Sequence, residues 1–218
     1  MSSLLGNFLS RASNALEAKK LVLSNEKEAT GQDNGDKRLV AVGEVMGGFP
    51  NDSASLTFSI KYGNEEIVLE QFTYNVWETV KITLTTRFEA ITLLKTKKPA
   101  EEVDQAIDKL LEKGLLIEWN DTYDENYFKL FSLVPKGWVT EMKENEYCVL
   151  TFRRSEPVSL TMMGYFLWRH AHSFLSCNST IQPIHEATGV EIVLIREEFT
   201  RWIPILVMYD LLAIVPNR

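Results

Sequence analysis

The stretch PAEEVDQAIDKLLEKGLLIEW, residues 99–119, decides the fold class. Pro99 at a first helical position, Glu101 and Glu102 in the opening turn, and Gly114 beyond the last turn predict a helix with defined ends. Its expected buried face repeats every three or four residues and comprises Val103, Ala106, Ile107, Leu110 and Leu111. The apolar alternation from 115 to 119 then predicts a strand.

Two more helices are expected upstream of this one. Phe72, Val76 and Val80 follow each other at four-residue spacing, and a second helical pattern consists of Phe88, Ile91 and Leu94. Downstream, a polar turn spans residues 120–126 and residues 127–134 are expected to return as the partner strand. Three helices followed by a hairpin resemble the winged helix-turn-helix fold over residues 69–138, without a diagnostic motif. That resemblance implies a third helix that recognises DNA or protein.

An antiparallel hairpin is expected on the N-terminal side of these helices. Leu56, Phe58 and Ile60 alternate with polar residues, and Gly63-Asn64 supplies a pair that tolerates positive φ. The sequence therefore predicts an α+β protein rather than a purely helical one.

The C-terminal part contains a pattern similar to that of the third helix. An offset of 96 places Val103, Ile107, Leu110 and Leu111 on Phe199, Ile203, Leu206 and Val207. Trp77 and Trp168 match at an offset of 91, so a tandem pair of winged-helix-like units is one interpretation. Pro204 opposes it because proline breaks or kinks a helix. The alternative is that residues 203–215 form two buried strands of an unrelated α+β unit.

These patterns divide the chain into four parts. They are an amphipathic helix (residues 1–20), a flexible linker (21–37), a hairpin with a winged-helix-like domain (38–138) and a second α+β domain (139–218). The stripe of the first helix consists of Leu5, Phe8, Leu9 and Leu16. We expect it to dock on the protein body, a partner or a second protomer; the alternative is membrane adsorption through residues 4–18.

The net charge of −7 lies entirely within the first 150 residues. The predicted third helix is itself acidic, which opposes contact with DNA. DNA binding through Lys95, Lys97 and Lys98 therefore remains an alternative only. From residue 151 onward the charge is balanced and every cation is arginine, which is favoured at protein interfaces. The candidates for binding an acidic partner are Arg153, Arg154 and Arg169, and ordinary surface ion pairs are the other interpretation.

Catalysis and metal binding receive little support. His170 and His172 lie about 200° apart on a helix and cannot share a metal there. His170 and Cys177 could share a face, but no spacing identifies a carboxylate partner. We therefore expect no catalytic residue, metal or cofactor, and no disulfide between Cys148 and Cys177.

The longest apolar run, residues 203–215, is short of the roughly 20 needed to span a bilayer, and no secretory signal is expected. The sequence favours a cytoplasmic, non-enzymatic protein-binding adaptor or regulator. The alternatives are a DNA-binding transcription regulator and a peripheral membrane protein.

Overall fold

The computed structural model describes residues 37–50, 56–143, 146–172 and 175–217. Within these residues the protein is a mixed α+β structure, in agreement with the expected fold class, with seven α-helices and ten strands in antiparallel sheets. The predicted amphipathic helix, with Leu5, Phe8, Leu9 and Leu16, and nearly all of the predicted linker lie outside the described residues.

The elements fall into two modules joined by a short helix. The N-terminal module, residues 38–118, contains β1 (Leu39–Ala41), β2 (Glu44–Pro50), β3 (Leu56–Tyr62), β4 (Glu65–Glu70), α1 (Gln71–Thr83), α2 (Arg87–Leu94), α3 (Ala100–Glu112) and β5 (Leu116–Glu118). The joining helix is α4 (Glu125–Phe128). The C-terminal module, residues 131–216, contains β6 (Phe131–Pro135), β7 (Trp138–Lys143), β8 (Glu146–Leu150), β9 (Val158–Thr161), α5 (Met162–His170), a 3₁₀ turn (Cys177–Thr180), α6 (Ile181–Thr188), α7 (Ile192–Met208) and β10 (Leu212–Pro216).

The N-terminal module matches the local predictions closely. β3 and β4 form the expected hairpin around Gly63-Asn64, and the three predicted helices are present as α1, α2 and α3. The amphipathic spacing of α3 places Val103, Ile107 and Leu110 in the core. Phe88 departs from its expected role, because its side chain is 69% exposed on α2.

The order of strand pairings is the same in the two modules. β1 pairs with β5 and β6 pairs with β10, while β2-β3-β4 and β7-β8-β9 form three-stranded sheets. The register shifts at equivalent places, between Val45 and Gly47 and between Val139 and Glu141. An isolated bridge also follows the first helix in each module, at Thr86 and at Ser176.

Side-chain packing repeats as well. The Phe58 and Tyr74 rings stack with centroids 3.8 Å apart, and Tyr147 and Tyr165 stack at 3.9 Å. Trp77 and Trp168 occupy equivalent positions three residues after these tyrosines. Their indole Nε1 atoms donate to the carbonyl groups of Val42 and Lys136, the residues that follow β1 and β6.

Two hydrophobic cores meet at β1. Leu39 and Ala41 belong to the core of the N-terminal module, whereas Val40 and Val42 belong to the other core. Successive side chains of a strand point to opposite faces, so this strand is buried on both sides. The two modules therefore share a packed layer. The proposed domain boundary at residue 138 stays a prediction, and β6 lies on its N-terminal side.

The predicted hairpin over residues 115–134 is wrong. β5 pairs with β1, β6 pairs with β10, and Tyr127 and Phe128 are helical in α4. The Asp124 carboxylate starts this helix by accepting hydrogen bonds from the amides of Asn126 and Tyr127. Phe128 then packs edge-on against Trp119 and Phe199, which anchors the helical turn in the core.

The alternative of two buried strands over residues 203–215 is also wrong, because α7 continues through Pro204 to Met208. Pro204 cannot donate the amide hydrogen bond that the Thr200 carbonyl would otherwise accept. Trp119 Nε1 donates to this carbonyl instead, at 2.8 Å. A residue outside the helix thus supplies the hydrogen bond that the proline removes.

Among the helices of the described residues, none combines the length and the apolar character needed to cross a membrane.

Candidate functional site

The β8–β9 connection is where the C-terminal module departs from the N-terminal one. The pairs Ile60–Ile67 and Val149–Val158 occupy equivalent ladder positions. Beyond Ile60, β3 and β4 stay paired up to a two-residue turn. Beyond Val149, residues 151–157 leave the ladder as an open loop. Loops of this kind carry function more often than the elements that they connect.

This loop and the first residue of β7 together carry an exposed aromatic pair. Phe152 is 93% exposed, and its ring centroid lies 4.9 Å from that of Trp138, which is 42% exposed. Large apolar side chains exposed together mark interaction sites, whereas scattered single ones are ordinary. We name the set Trp138, Phe152, Arg153 and Arg154 the aromatic–arginine surface.

Its two arginines are held differently. Arg153 Nη2 donates to the Val45 carbonyl at 3.0 Å, and Arg153 Nε lies 3.9 Å from Asp210 Oδ2. The guanidinium carbon of Arg154 lies 5.1 Å from the Tyr209 ring centroid, a cation–π distance. Within the described part of the chain, Arg154 forms no ion pair with a carboxylate. Among the described residues, the contact that its charge makes is therefore with an aromatic ring.

A charge cluster, formed by Glu44, Lys81, Lys136 and Asp210, adjoins Arg153. Lys81 Nζ lies 2.6 Å from Asp210 Oδ1, and Lys136 Nζ lies 3.4 Å from the same oxygen and 3.0 Å from Glu44 Oε1. The Lys81 and Asp210 side chains are only 9% and 13% exposed. The cluster connects the end of α1 with the residues that follow α7 and β6, and so ties the two modules together.

Asp210 adopts a backbone conformation that normally favours glycine. Its φ is +59°, and Gly114 has φ +68° at the equivalent place after α3. The two residues also end their helices alike, since the following amides of Leu115 and Leu211 donate to the carbonyls of Leu110 and Leu206. Aspartate is thus kept at a position where glycine would be relaxed, and an unfavourable backbone held in place often marks a functional site.

Burial and the neighbouring charges act in opposite directions on the pKa of these groups. Burial raises the pKa of Asp210, but Lys81, Lys136 and Arg153 together hold it below its ordinary value. Burial lowers the pKa of Lys81, and the Asp210 carboxylate offsets part of that effect. Burial also raises the pKa of the nearby Glu78, whose Oε1 accepts a hydrogen bond from the Tyr74 hydroxyl at 2.7 Å. The cluster favours an ionised Asp210.

Arg153 and Arg154 lie on one loop, as adjacent residues must, but Arg169 lies on α5. The Arg169 guanidinium donates to the Tyr165 hydroxyl at 3.4 Å. The lysines of the DNA-binding alternative, Lys95, Lys97 and Lys98, are exposed in the turn after α2. Lys98 is paired with Glu102 at 2.8 Å.

The histidines and cysteines lie in separate surroundings. The His170 ring stacks on Phe166, and burial and Arg169 lower its pKa. Cys177 is buried in the core, which raises its pKa. His185 Nδ1 lies 2.7 Å from the Val190 carbonyl oxygen. Where the structure describes the chain, no three His, Cys, Asp or Glu residues are placed to hold a metal ion.

Sequence reasoning missed Phe152, Trp138, Lys81 and Asp210. A signal for Asp210 was present, because the offset of 96 that aligns Leu115 with Leu211 also aligns Gly114 with it. Lys81 follows Trp77 by four residues and so occupies a core position of α1. Nothing in the local pattern distinguishes Phe152 from a buried aromatic residue.

Comparison of the chain with protein-family models, curated proteins and solved structures found no match.

Proposed function

We propose that this protein is a non-enzymatic protein-binding adaptor or regulator, built from two winged-helix-like modules. The observation that carries the proposal is the aromatic–arginine surface, formed by Trp138 of β7 and by the loop where the modules differ. Tryptophan, phenylalanine and arginine are enriched at protein interfaces, and tryptophan and arginine dominate binding energy there.

The winged-helix-like interpretation rests on the arrangement of each module. In each module three helices pack beside a small two-stranded antiparallel sheet. The strand after the third helix, β5 or β10, pairs with a strand that precedes the helices, β1 or β6. The chain therefore differs from the predicted order, in which a hairpin after the third helix supplies the strands. We place the protein in the cytoplasm as part of the same proposal.

The surface of α3 gives the DNA-binding alternative no support. Its exposed side chains include Glu101, Glu102 and Asp108, which would repel a phosphate backbone. Arg87, a cation beside this helix, pairs with Asp104 and Asp108 at 2.7 Å each. The membrane alternative concerns residues 4–18; flotation of the whole chain with vesicles, compared with a chain lacking residues 1–20, tests it.

The protein-binding function is tested by native purification of tagged wild-type protein and of Phe152→Ser. We expect the variant to lose a stoichiometric partner that wild type retains. Phe88→Ser is the matched control, because Phe88 is also largely exposed but lies on α2. Equal recovery of partners by all three proteins, or purification of wild type free of partners, contradicts the proposal.

A further inference from the structure

The aromatic–arginine surface contains a positive charge, that of Arg154, which no carboxylate of the described residues neutralises. In the charge cluster, Lys81 and Lys136 face Asp210 and Glu44 at 2.6–3.4 Å, and Lys81 and Arg153 also interact electrostatically with a third carboxylate, that of Glu78. The ion pair of Arg153 with Asp210 is long, at 3.9 Å, which is beyond hydrogen-bonding distance. Arg154 has no carboxylate partner among the described residues, and Glu156 is the only acidic residue of the loop.

The position of this charge is also specific. Arg153 is fixed by its hydrogen bond to the Val45 carbonyl, and Arg154 by the Tyr209 ring. Fixed guanidinium groups lose less entropy on binding and can accept a carboxylate through two parallel hydrogen bonds. Next to them, Phe152 and Trp138 offer apolar area that is exposed to water.

From this combination we infer that the partner presents an acidic segment in which aspartate or glutamate stands next to a large apolar side chain. The apolar side chain packs on Phe152 and Trp138, and the carboxylates pair with Arg154 and Arg153. This inference rests on the proposed protein-binding function and names the chemistry of its partner.

A nucleic-acid strand would offer stacking bases and negative charge too, but it needs a basic track along its backbone. The net charge of −7 makes the long-range field of the chain negative, which repels a long polyanion. Two local arginines can attract only a short acidic segment. A short acidic peptide needs no basic track, and its few carboxylates can pair with the two local arginines.

The experiment selects displayed random peptides of about 12 residues on the full-length chain. The affinities of enriched peptides are then measured by fluorescence anisotropy. We expect enriched sequences to combine Asp or Glu with Phe, Trp or Leu. Phe152→Ser and Arg154→Gln should each weaken binding about tenfold, and the affinity should fall when salt rises from about 50 to 300 mM.

Two matched variants control for nonspecific effects. Phe88→Ser and Arg201→Gln remove an exposed phenylalanine on α2 and an exposed arginine on α7, and should change affinity less than about twofold. Thermal unfolding of each variant checks that the fold is kept.

The outcomes separate the two proposals. Neutral or basic peptides that still need Phe152 overturn the acidic partner but leave the protein-binding function. Peptides that bind equally well to Phe152→Ser, or a selection that enriches nothing, overturn both. A single-stranded DNA oligonucleotide that binds with the same dependence on Phe152 and Arg154 overturns the peptide in favour of nucleic acid.

Discussion

Replacement of Asp210 by asparagine tests whether the charge cluster holds the two modules together. The variant leaves the Lys81 ammonium, 9% exposed, without its carboxylate at 2.6 Å. Breaking one side of a buried pair costs about 3–5 kcal/mol. We expect about 3 kcal/mol, the lower end of that range, because Lys136 keeps Glu44 at 3.0 Å. Asparagine tolerates the left-handed backbone about as well as aspartate, so the backbone contributes little.

Urea unfolding at pH 7, followed by far-ultraviolet circular dichroism and by tryptophan fluorescence, measures this loss. With a denaturant slope of about 2 kcal/mol per molar urea, the midpoint falls by about 1.5 M. The double variant Lys81→Met, Asp210→Asn should be more stable than Asp210→Asn alone, because the unpaired buried ammonium is gone. A loss under about 1 kcal/mol for Asp210→Asn, or a double variant no more stable than it, refutes the reasoning.

Four further predictions concern other parts of the structure. Gly43→Ala should prevent folding, because a Cβ there would lie 2.8 Å from the Lys61 carbonyl oxygen. Gly189→Ala should lower the free energy of unfolding by only about 1 kcal/mol, because its Cβ would have no neighbour within 4 Å. Unfolding midpoints measure both effects. Trp119→Phe leaves the Thr200 carbonyl without a donor and should lower the free energy of unfolding by about 1–3 kcal/mol beyond the loss of packing. In a Pro204→Ala background the restored amide of residue 204 should reduce that loss. Equal losses in the two backgrounds of a double-mutant cycle would exclude this role for Trp119. Glu78→Gln should raise the urea midpoint at pH 7, because the raised pKa of Glu78 means that its ionised form disfavours folding. The gain should disappear as the pH falls below 4.5, the ordinary pKa of the carboxyl, where Glu78 is protonated in both the folded and the unfolded protein. A duplex DNA fragment should show no mobility shift at about 50 mM salt, and a shift abolished by Lys95→Gln with Lys97→Gln would restore the DNA-binding alternative.

The helices and the β3–β4 hairpin were predictable because their signals are local. Pro99 and Gly114 bound α3, and the apolar spacing of α3 agrees with the face it buries. The partners of β5 and β6 were not predictable, because strand pairing depends on distant residues. The order of the chain suggested that β5 and β6 pair with each other, yet each pairs with a strand at the far end of its own module.

Pro204 shows a second limit of local reasoning. By itself it favours two strands over a helix, since a helix interior with proline loses a hydrogen bond and costs about 3 kcal/mol. The compensation comes from Trp119, 81 residues before Thr200, whose carbonyl accepts its hydrogen bond. No pattern within residues 192–208 could reveal that donor, although the alignment of residues 203–207 with α3 did favour a helix.

Features that recur at equivalent positions of the two modules differ from features that only the C-terminal module has. Stacked rings, tryptophan hydrogen bonds, bulges and strand pairs recur in both modules, so packing accounts for them. Gly114 shows that the end of the third helix needs no carboxylate, and the Gly63-Asn64 turn shows that the sheet needs no open loop. The C-terminal module nonetheless has Asp210 and the loop 151–157 at those places. Both departures meet at Arg153, which lies between Asp210 and Val45. The pair with buried Lys81 explains Asp210, whereas the fold of a module does not require the open loop. The exposed aromatic pair beside that loop is therefore the reason to seek the partner there.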